Sequence, residues 1–354
     1  MEFGLSEEQT LLQNSLNRYL DDASSLEQVK TLVDNPATGL WTGLAELGVP
    51  ALLIAESAGG VGLGCVEAAL VAESLGAHTA PVPFIGTAVM APLAIALAGV
   101  EQDALLAAIA SGNTTVGVAV AESIAARADA GVVSDGANLS GKALFVLDFG
   151  ADQYLVADDK RALFLVAADA YGLQARSLAT IDKTRPSGEL VFSNTPATRL
   201  TDDPDVLRQV VDAGRVMLAA DTLGAAQNML DQSVEYAKQR EQFNRPIASF
   251  QAVKHMCAEM AAELEPCRAL VWYAAHTLDA VAEEATLTAC HAKAHLAETG
   301  TFIAKTATEV HGGMGFTDLL GLHYWFKRIG FNRQMLGAPE MVREEAARVQ
   351  DLVG

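Results

Sequence analysis

The chain has 354 residues, with 24 basic and 44 acidic side chains and a net charge of −20. So acidic a surface excludes the usual nucleic-acid and anionic-membrane binders, which need basic faces. With 51% hydrophobic and 19% charged residues the composition is far from disordered, and the length predicts two or three packed domains.

The first third reads as helices. LSEEQTLLQNSLNRYL places Leu11, Leu12, Leu16 and Leu20 on one face, with Ser6 and Gln9 in capping-box positions. LWTGLAELGV is a second amphipathic helix, and the glycines of SAGGVGLG mark a turn, having neither GxGxxG nor GK[ST]. The uncharged run from Thr79 to Val100 carries Pro81, Pro83 and Pro92, so a buried loop and core helix are expected rather than a membrane span.

From about Thr114 to Thr195 the period changes to short runs such as ALFVLDF, QYLVAD, ALFLVA and ELVFSN, which predict an antiparallel sheet or barrel. TDDPDV then opens a long helical region, with Thr201 and Asp202 as cap candidates and Pro204 in the first turn. The expected organisation is a helical domain over 1–112, a β domain over 113–200 and a helical bundle over 201–354.

The four cysteines, Cys65, Cys257, Cys267 and Cys290, have no CxxC spacing, and MEFGLSEEQ lacks the features of a signal peptide. Reduced thiols in a cytoplasmic protein are expected. His291 and His295 share a helix face, but Lys293 stands between them, no third ligand is evident, and they read as ordinary helix histidines rather than a metal site.

Two segments carry more unusual chemistry. YAKQREQFNRPIASFQAVKHMCAEM sets Arg240 and Phe243 where a helix breaks at Asn244 and Pro246, so that charge and ring can face a ligand. TEVHGGMGFTDLLGLHYWFKRI holds Gly312 and Gly313, which let backbone approach a phosphate. A guanidinium pairs with pyrophosphate oxygens and a phenyl ring covers an adenine.

With these two segments, RxQFxxPIxxFQxxKHxxAxM and xxHGGMGF, the chain resembles the acyl-CoA dehydrogenase family along its whole length. The resemblance implies an N-terminal helical domain, a middle β domain and a C-terminal four-helix bundle. It also implies FAD as cofactor, α,β-dehydrogenation of an acyl-CoA thioester, and a tetramer in which a neighbour completes each FAD site. By motif position Arg240, Gln242 and Phe243 match neighbour-contributed contacts to the ADP part of FAD, and Gly312 and Gly313 match the glycine pair at its diphosphate. Electron-transferring flavoprotein is the family's usual electron acceptor.

The chain departs from that pattern where the chemistry is done. The family's base, a Glu followed by Gly-Thr, is matched by Leu336 in LGAPEMVR, and the alternative base position before Arg215 holds Gly214. Leucine cannot take a proton. Glu340, about one helical turn beyond, is the weak substitute candidate. In the β domain AVAESIAARADA and LFVLDF replace the flavin-contacting segments, with Val146 expected in place of a hydroxyl, and Glu309 replaces a Gln before the glycine pair. A carboxylate about 5 Å from a pyrophosphate charge would be repelled by roughly 3 kcal/mol at an effective dielectric of about 20.

What is lost serves a subunit's own flavin and substrate; most of what remains is contributed to a neighbour, with Glu309 the exception. Chains with Leu at the base position resemble partner subunits of heterotetrameric acyl-CoA dehydrogenases of bacterial steroid side-chain breakdown. The leading expectation is such a subunit, paired with a homologue that carries the Glu. Two alternatives stand beside it: a self-sufficient homo-oligomer using Glu340, and a flavin-free acyl-CoA-binding scaffold.

Overall fold

The computed structural model describes residues 4–33 and 39–353. Among the described residues six helices come first: α1 (Glu7–Ala23), α2 (Leu26–Leu32), α3 (Gly39–Glu46), α4 (Cys65–Ala77), α5 (Ala91–Ala98) and α6 (Asp103–Ala110). The start of α1 is fixed as expected: the Gln9 amide N–H donates to Ser6 Oγ and the Ser6 N–H to Gln9 Oε1, satisfying two end donors reciprocally. Its apolar stripe is narrower than expected. Leu16 and Leu20 are buried, Leu12 is half-buried, and Leu11 is exposed. The uncharged run after Thr79 enters the core as a π-helical turn, Ile85–Met90, that continues into α5, and every residue of that turn is buried.

The middle of the chain forms one sheet: β1 (Val116–Ala119), β2 (Gly131–Ser134), β3 (Asn138–Leu147), β4 (Gln153–Ala157), β5 (Leu163–Ala167), β6 (Leu173–Leu178), β7 (Ser187–Pro196) and β8 (Thr198–Thr201), with a short helix α7 (Ala121–Ile124) after β1. The strand order is β6-β7-β3-β1-β4-β5-β8, with β2 on β3. The pairings are antiparallel except for β1 with β4, which run parallel. One face closes over a core of its own, containing Val146, Tyr154, Phe164 and Leu190. The register of β3 on β7 shifts between Ala143 and Val146, and at that bulge Phe145 takes φ +52°.

The remainder is α8 (Pro204–Gln239), a minimal hairpin β9 (Glu241–Gln242) and β10 (Arg245–Pro246), then α9 (Gln251–Ala280), α10 (Ala282–His311), α11 (Leu322–Gln334) and α12 (Pro339–Val349). The cap of α8 lies one residue beyond the expected candidates: Asp203 accepts from the Asp205 N–H at 2.9 Å, and Pro204 is the first helical residue. Among the described residues no helix is long and apolar enough to cross a membrane.

Two features set the three regions against one another. Helices α4 and α8 meet backbone to backbone, because a Cβ at Gly76 would lie 2.0 Å from Asp221 O and one at Gly224 would lie 1.8 Å from Glu73 O. Beside this crossing Asp221 accepts from Arg328 of α11 (3.0 and 2.8 Å), from Arg185 of the β6–β7 connection (2.7 Å) and from Asn332 (2.6 Å). Burial opposes the Asp221 charge, but the two guanidinium groups outweigh it and hold its pKa at about 2. Arg328 also donates to Ala80 O at 3.1 Å, so one buried ion cluster joins the N-terminal helices, the sheet and the bundle.

Candidate functional site

The two positions at which a catalytic carboxylate is expected come together in space. Leu336 lies in the turn between α11 and α12, and Gly214 lies on α8. A Cβ at Gly214 would fall 2.5 Å from Leu336 Cδ1 and 2.8 Å from Met90 Sδ, so the leucine side chain is seated on the glycine and the methionine sulfur packs beside it. Leu336 is buried at φ +56°, which is strained for a residue with a Cβ, and Gly337 follows at φ +108°. The turn is held from below by two buried cations. Arg215 Nε donates to Leu336 O at 3.0 Å, and Lys293 Nζ donates to the carbonyls of Asn332 (2.7 Å) and Arg333 (3.1 Å) at the end of α11. The rest of the Arg215 fork meets Asp212 at 3.3 Å and Glu345 at 2.7 Å. Glu340 is exposed in the first turn of α12, 3.3 Å from Arg333, and lines neither of the cavities beside this turn.

Those cavities share the side chains of Ile124 and Met341. One, of 320 Å³, is lined by Arg161, Arg208, Arg215 and Arg348 together with Glu344, Glu345 and Ser123. The other, of 420 Å³, lies between α7, the β3 bulge and the α11–α12 turn. Its polar lining side chains are Arg127, Thr180 and Gln334; the rest are apolar or glycine, among them Ala121, Ala125, Phe145, Phe331 and Met335. Val146 does not face this space. It is fully buried in the core of the sheet, and Phe145 stands at the cavity instead, because the bulge breaks the alternation of side chains between faces.

The two motif segments lie together at one end of the bundle, where the rings of Tyr236 and His311 stack 4.6 Å apart. Gln242 pairs with Arg245, leaving Phe243 and Asn244 as a two-residue loop at φ +55° and +62°, the signs a type I′ turn requires. This turn presents Phe243 to solvent at 87% exposure, with its edge against Phe250 at 6.0 Å. Arg240 ends α8 in an extended conformation, exposed, and its side chain has no partner among the described residues. The Gln242 amide donates to Glu241 O. Gly312 takes φ +56° and ψ −139° as α10 stops, and a Cβ at Gly312 or Gly313 would meet nothing within 4 Å. Glu309 is exposed on the last turn of α10. His291 and His295 are both exposed on α10 with buried Lys293 between them, and among the described residues no group of potential ligands is placed to hold a metal.

Sequence reasoning missed Phe145, Arg127 and Lys293. A left-handed residue at a bulge has no residue-type signature when it is a phenylalanine. In the sequence Lys293 is visible only as an interruption between two histidines.

Comparison with known proteins agrees with this architecture. The family model for the N-terminal domain of acyl-CoA dehydrogenases matches residues 6–113, and that for the C-terminal domain matches residues 205–350. The acyl-CoA dehydrogenase IpdE2 of Mycobacterium tuberculosis is 31% identical over 86% of this chain and 84% of its own length. Among solved structures, a variant of the Tcur3481-Tcur3483 steroid ACAD has a TM-score of 0.89 at 30% identity, covering 98% of each chain. The ChsE4-ChsE5 complex from Mycobacterium tuberculosis has 0.88 at 27%, covering 100% of each. With both terminal domains matched and the fold shared from end to end, this chain belongs to the acyl-CoA dehydrogenase family.

Proposed function

We propose that this chain is a subunit of a hetero-oligomeric acyl-CoA dehydrogenase, in which it forms no catalytic centre of its own and completes the FAD site of a homologous subunit carrying the catalytic Glu. The observation that carries the reading is Leu336 seated on Gly214: both base positions lack a carboxylate, and the space between them is filled. A proton acceptor is absent at the point where the family's reaction begins.

Fit to FAD differs between two parts of the chain. At the exposed end of the bundle Arg240 would pair with pyrophosphate oxygens, Phe243 would cover the adenine, Gln242 would supply an amide, and the open backbone at Gly312 and Gly313 would lie along the diphosphate. In the cavity beside Leu336, by contrast, the lining offers few partners for the polar edge of a flavin ring. FAD, when bound, supplies the acceptor for the β-hydrogen of the acyl-CoA. The chain's own residues hold its nucleotide half across a subunit boundary. Both solved relatives named above are described by two component names, ChsE4-ChsE5 and Tcur3481-Tcur3483, which supports a paired assembly here. The steroid ACAD supports a steroid-derived acyl group as substrate class. Electron-transferring flavoprotein is proposed as electron acceptor.

The test uses the complex purified with a homologue bearing Glu-Gly-Thr. Arg240→Gln and Phe243→Ala in this chain should each weaken FAD retention by about tenfold while the complex stays assembled. Unchanged flavin content and activity in both variants would contradict the reading.

A further inference from the structure

The segment that carries the glycine pair has few restraints of its own. Between the end of α10 and the start of α11 it reads GGMGFTDLLG, and glycine, which stands at 312, 313, 315 and 321, loses more backbone freedom on folding than any other residue. Phe316 and Leu319 face solvent, at 80% and 72% exposure, so neither side chain pins the segment to the body of the protein. Within it the Thr317 N–H and hydroxyl both donate to Met314 O, at 3.1 and 2.8 Å. Those bonds shape its first turn and leave residues 318–321 to be held from outside.

The N-terminal helices supply that hold. Leu26 and Lys30 are four residues apart on α2 and so share a face, and both reach this segment. A Cβ at Gly321, which takes φ +61°, would fall 2.3 Å from Leu26 Cδ1, so the leucine packs directly on glycine backbone. Lys30 Nζ donates to Asp318 O at 2.7 Å, and the side chain of the same residue is met by His323, whose Nε2 lies 2.6 Å from Asp318 Oδ1. Asp318 is thus gripped from α2 through its carbonyl and from α11 through its carboxylate. Helix α2 is itself anchored through buried Val29. Neither Leu26 nor Lys30 is among the residues assigned to FAD.

We propose that Lys30 is a positioning residue for the shared flavin site: its bond to Asp318 fixes the segment whose open glycine pair lies along the diphosphate, so the N-terminal domain of this chain sets how firmly a neighbour's FAD is retained. This rests on the reading of Gly312 and Gly313 as FAD contacts. A backbone already ordered offers its N–H groups to an anion with little further loss of freedom, whereas a glycine-rich segment released at Asp318 must be ordered at each binding event. The ammonium makes the tie a charge-assisted one, stronger than a neutral donor would give.

The test compares Lys30→Met, Lys30→Arg and Arg240→Gln, each in this chain within the complex formed with a homologue bearing Glu-Gly-Thr. Lys30→Met keeps an apolar stem and removes the donor. FAD dissociation, followed by flavin fluorescence, should quicken about fivefold in this variant. Hydrogen exchange of amides 314–320 should quicken too, in the full chain without flavin, while the melting temperature stays that of the parent. Lys30→Arg, which restores a charged donor, should recover both rates. Retention of FAD by Lys30→Met together with its loss from Arg240→Gln would overturn the proposal and leave the shared site standing. Retention in both would overturn the shared-site reading and this proposal with it. A flavin loss that Lys30→Arg does not recover, and that tracks a fall in melting temperature, would also overturn the proposal by making Lys30 a residue of structure alone.

Discussion

Leu336 Cδ1 occupies the space beside Gly214, 2.5 Å from where a β-carbon at that glycine would stand. The two substitutions are therefore complementary in shape. A glycine removes one carboxylate and leaves a hollow; a leucine replaces the other and fills it. Restoring either acid alone requires the surrounding packing to move.

Leu336→Glu should destabilise the chain by about 2–4 kcal/mol, because it buries a carboxylate against Met90 and the α8 backbone. Urea denaturation of the variant reads this directly, and a midpoint equal to that of the parent would show the site to be more open than described. The variant is expected to gain no dehydrogenation activity by itself.

The crossing of α4 and α8 predicts a contrast between glycines. Gly224→Ala, whose Cβ would lie 1.8 Å from a backbone oxygen, should cost about 3 kcal/mol or more. Gly330→Ala, in α11 with room around it, should be neutral or stabilising by up to about 1 kcal/mol. Equal melting temperatures for the two variants would contradict the close approach.

Burial, aided by Arg215 and Arg333, pushes the Lys293 pKa down from 10.5 to about 7. The folded chain then binds fewer protons than the unfolded chain between those values, so this group adds stability as pH rises from about 7 toward 10. Lys293→Met should remove that slope and also release the carbonyls of Asn332 and Arg333. Stability of parent and variant measured across this range provides the check; parallel curves would exclude the assignment.

Asp148 behaves in the opposite sense. Burial raises its pKa from 3.8 to about 6 against the pull of Arg185 and of the Gly86 N–H, which donates to its carboxyl at 2.7 Å. Its folded form binds the extra proton, so its contribution is full below pH 3.8 and is lost as pH rises through about 6. The difference in stability between the parent and Asp148→Asn should accordingly change across that interval, and a difference that stays constant would rule this out.

Local chemistry was legible in the sequence and long-range geometry was not. Ser6 and Gln9 announced a cap that forms as expected, since its partners are three residues apart. The runs that became β3, β4, β5 and β7 carried enough β-branched and aromatic residues to be seen, whereas β1, four residues long and buried throughout, did not. Its parallel pairing with β4 depends on a connection through the rest of the sheet. Phe243 and the glycine pair stood out because a helix break and paired glycines are sequence signals. Phe145 was hidden, since a bulge set by register rather than residue type moved the cavity-facing position from Val146 to its neighbour. The seating of Leu336 on Gly214 joins residues 122 positions apart, and the sequence showed only that each was not an acid.

The most direct test of the central claim is the visible spectrum of the chain purified alone and together with a homologue that carries the Glu, each mixed anaerobically with acyl-CoA. The account predicts flavin absorbance that bleaches only in the paired preparation. A yellow protein that bleaches when the chain is alone would contradict it.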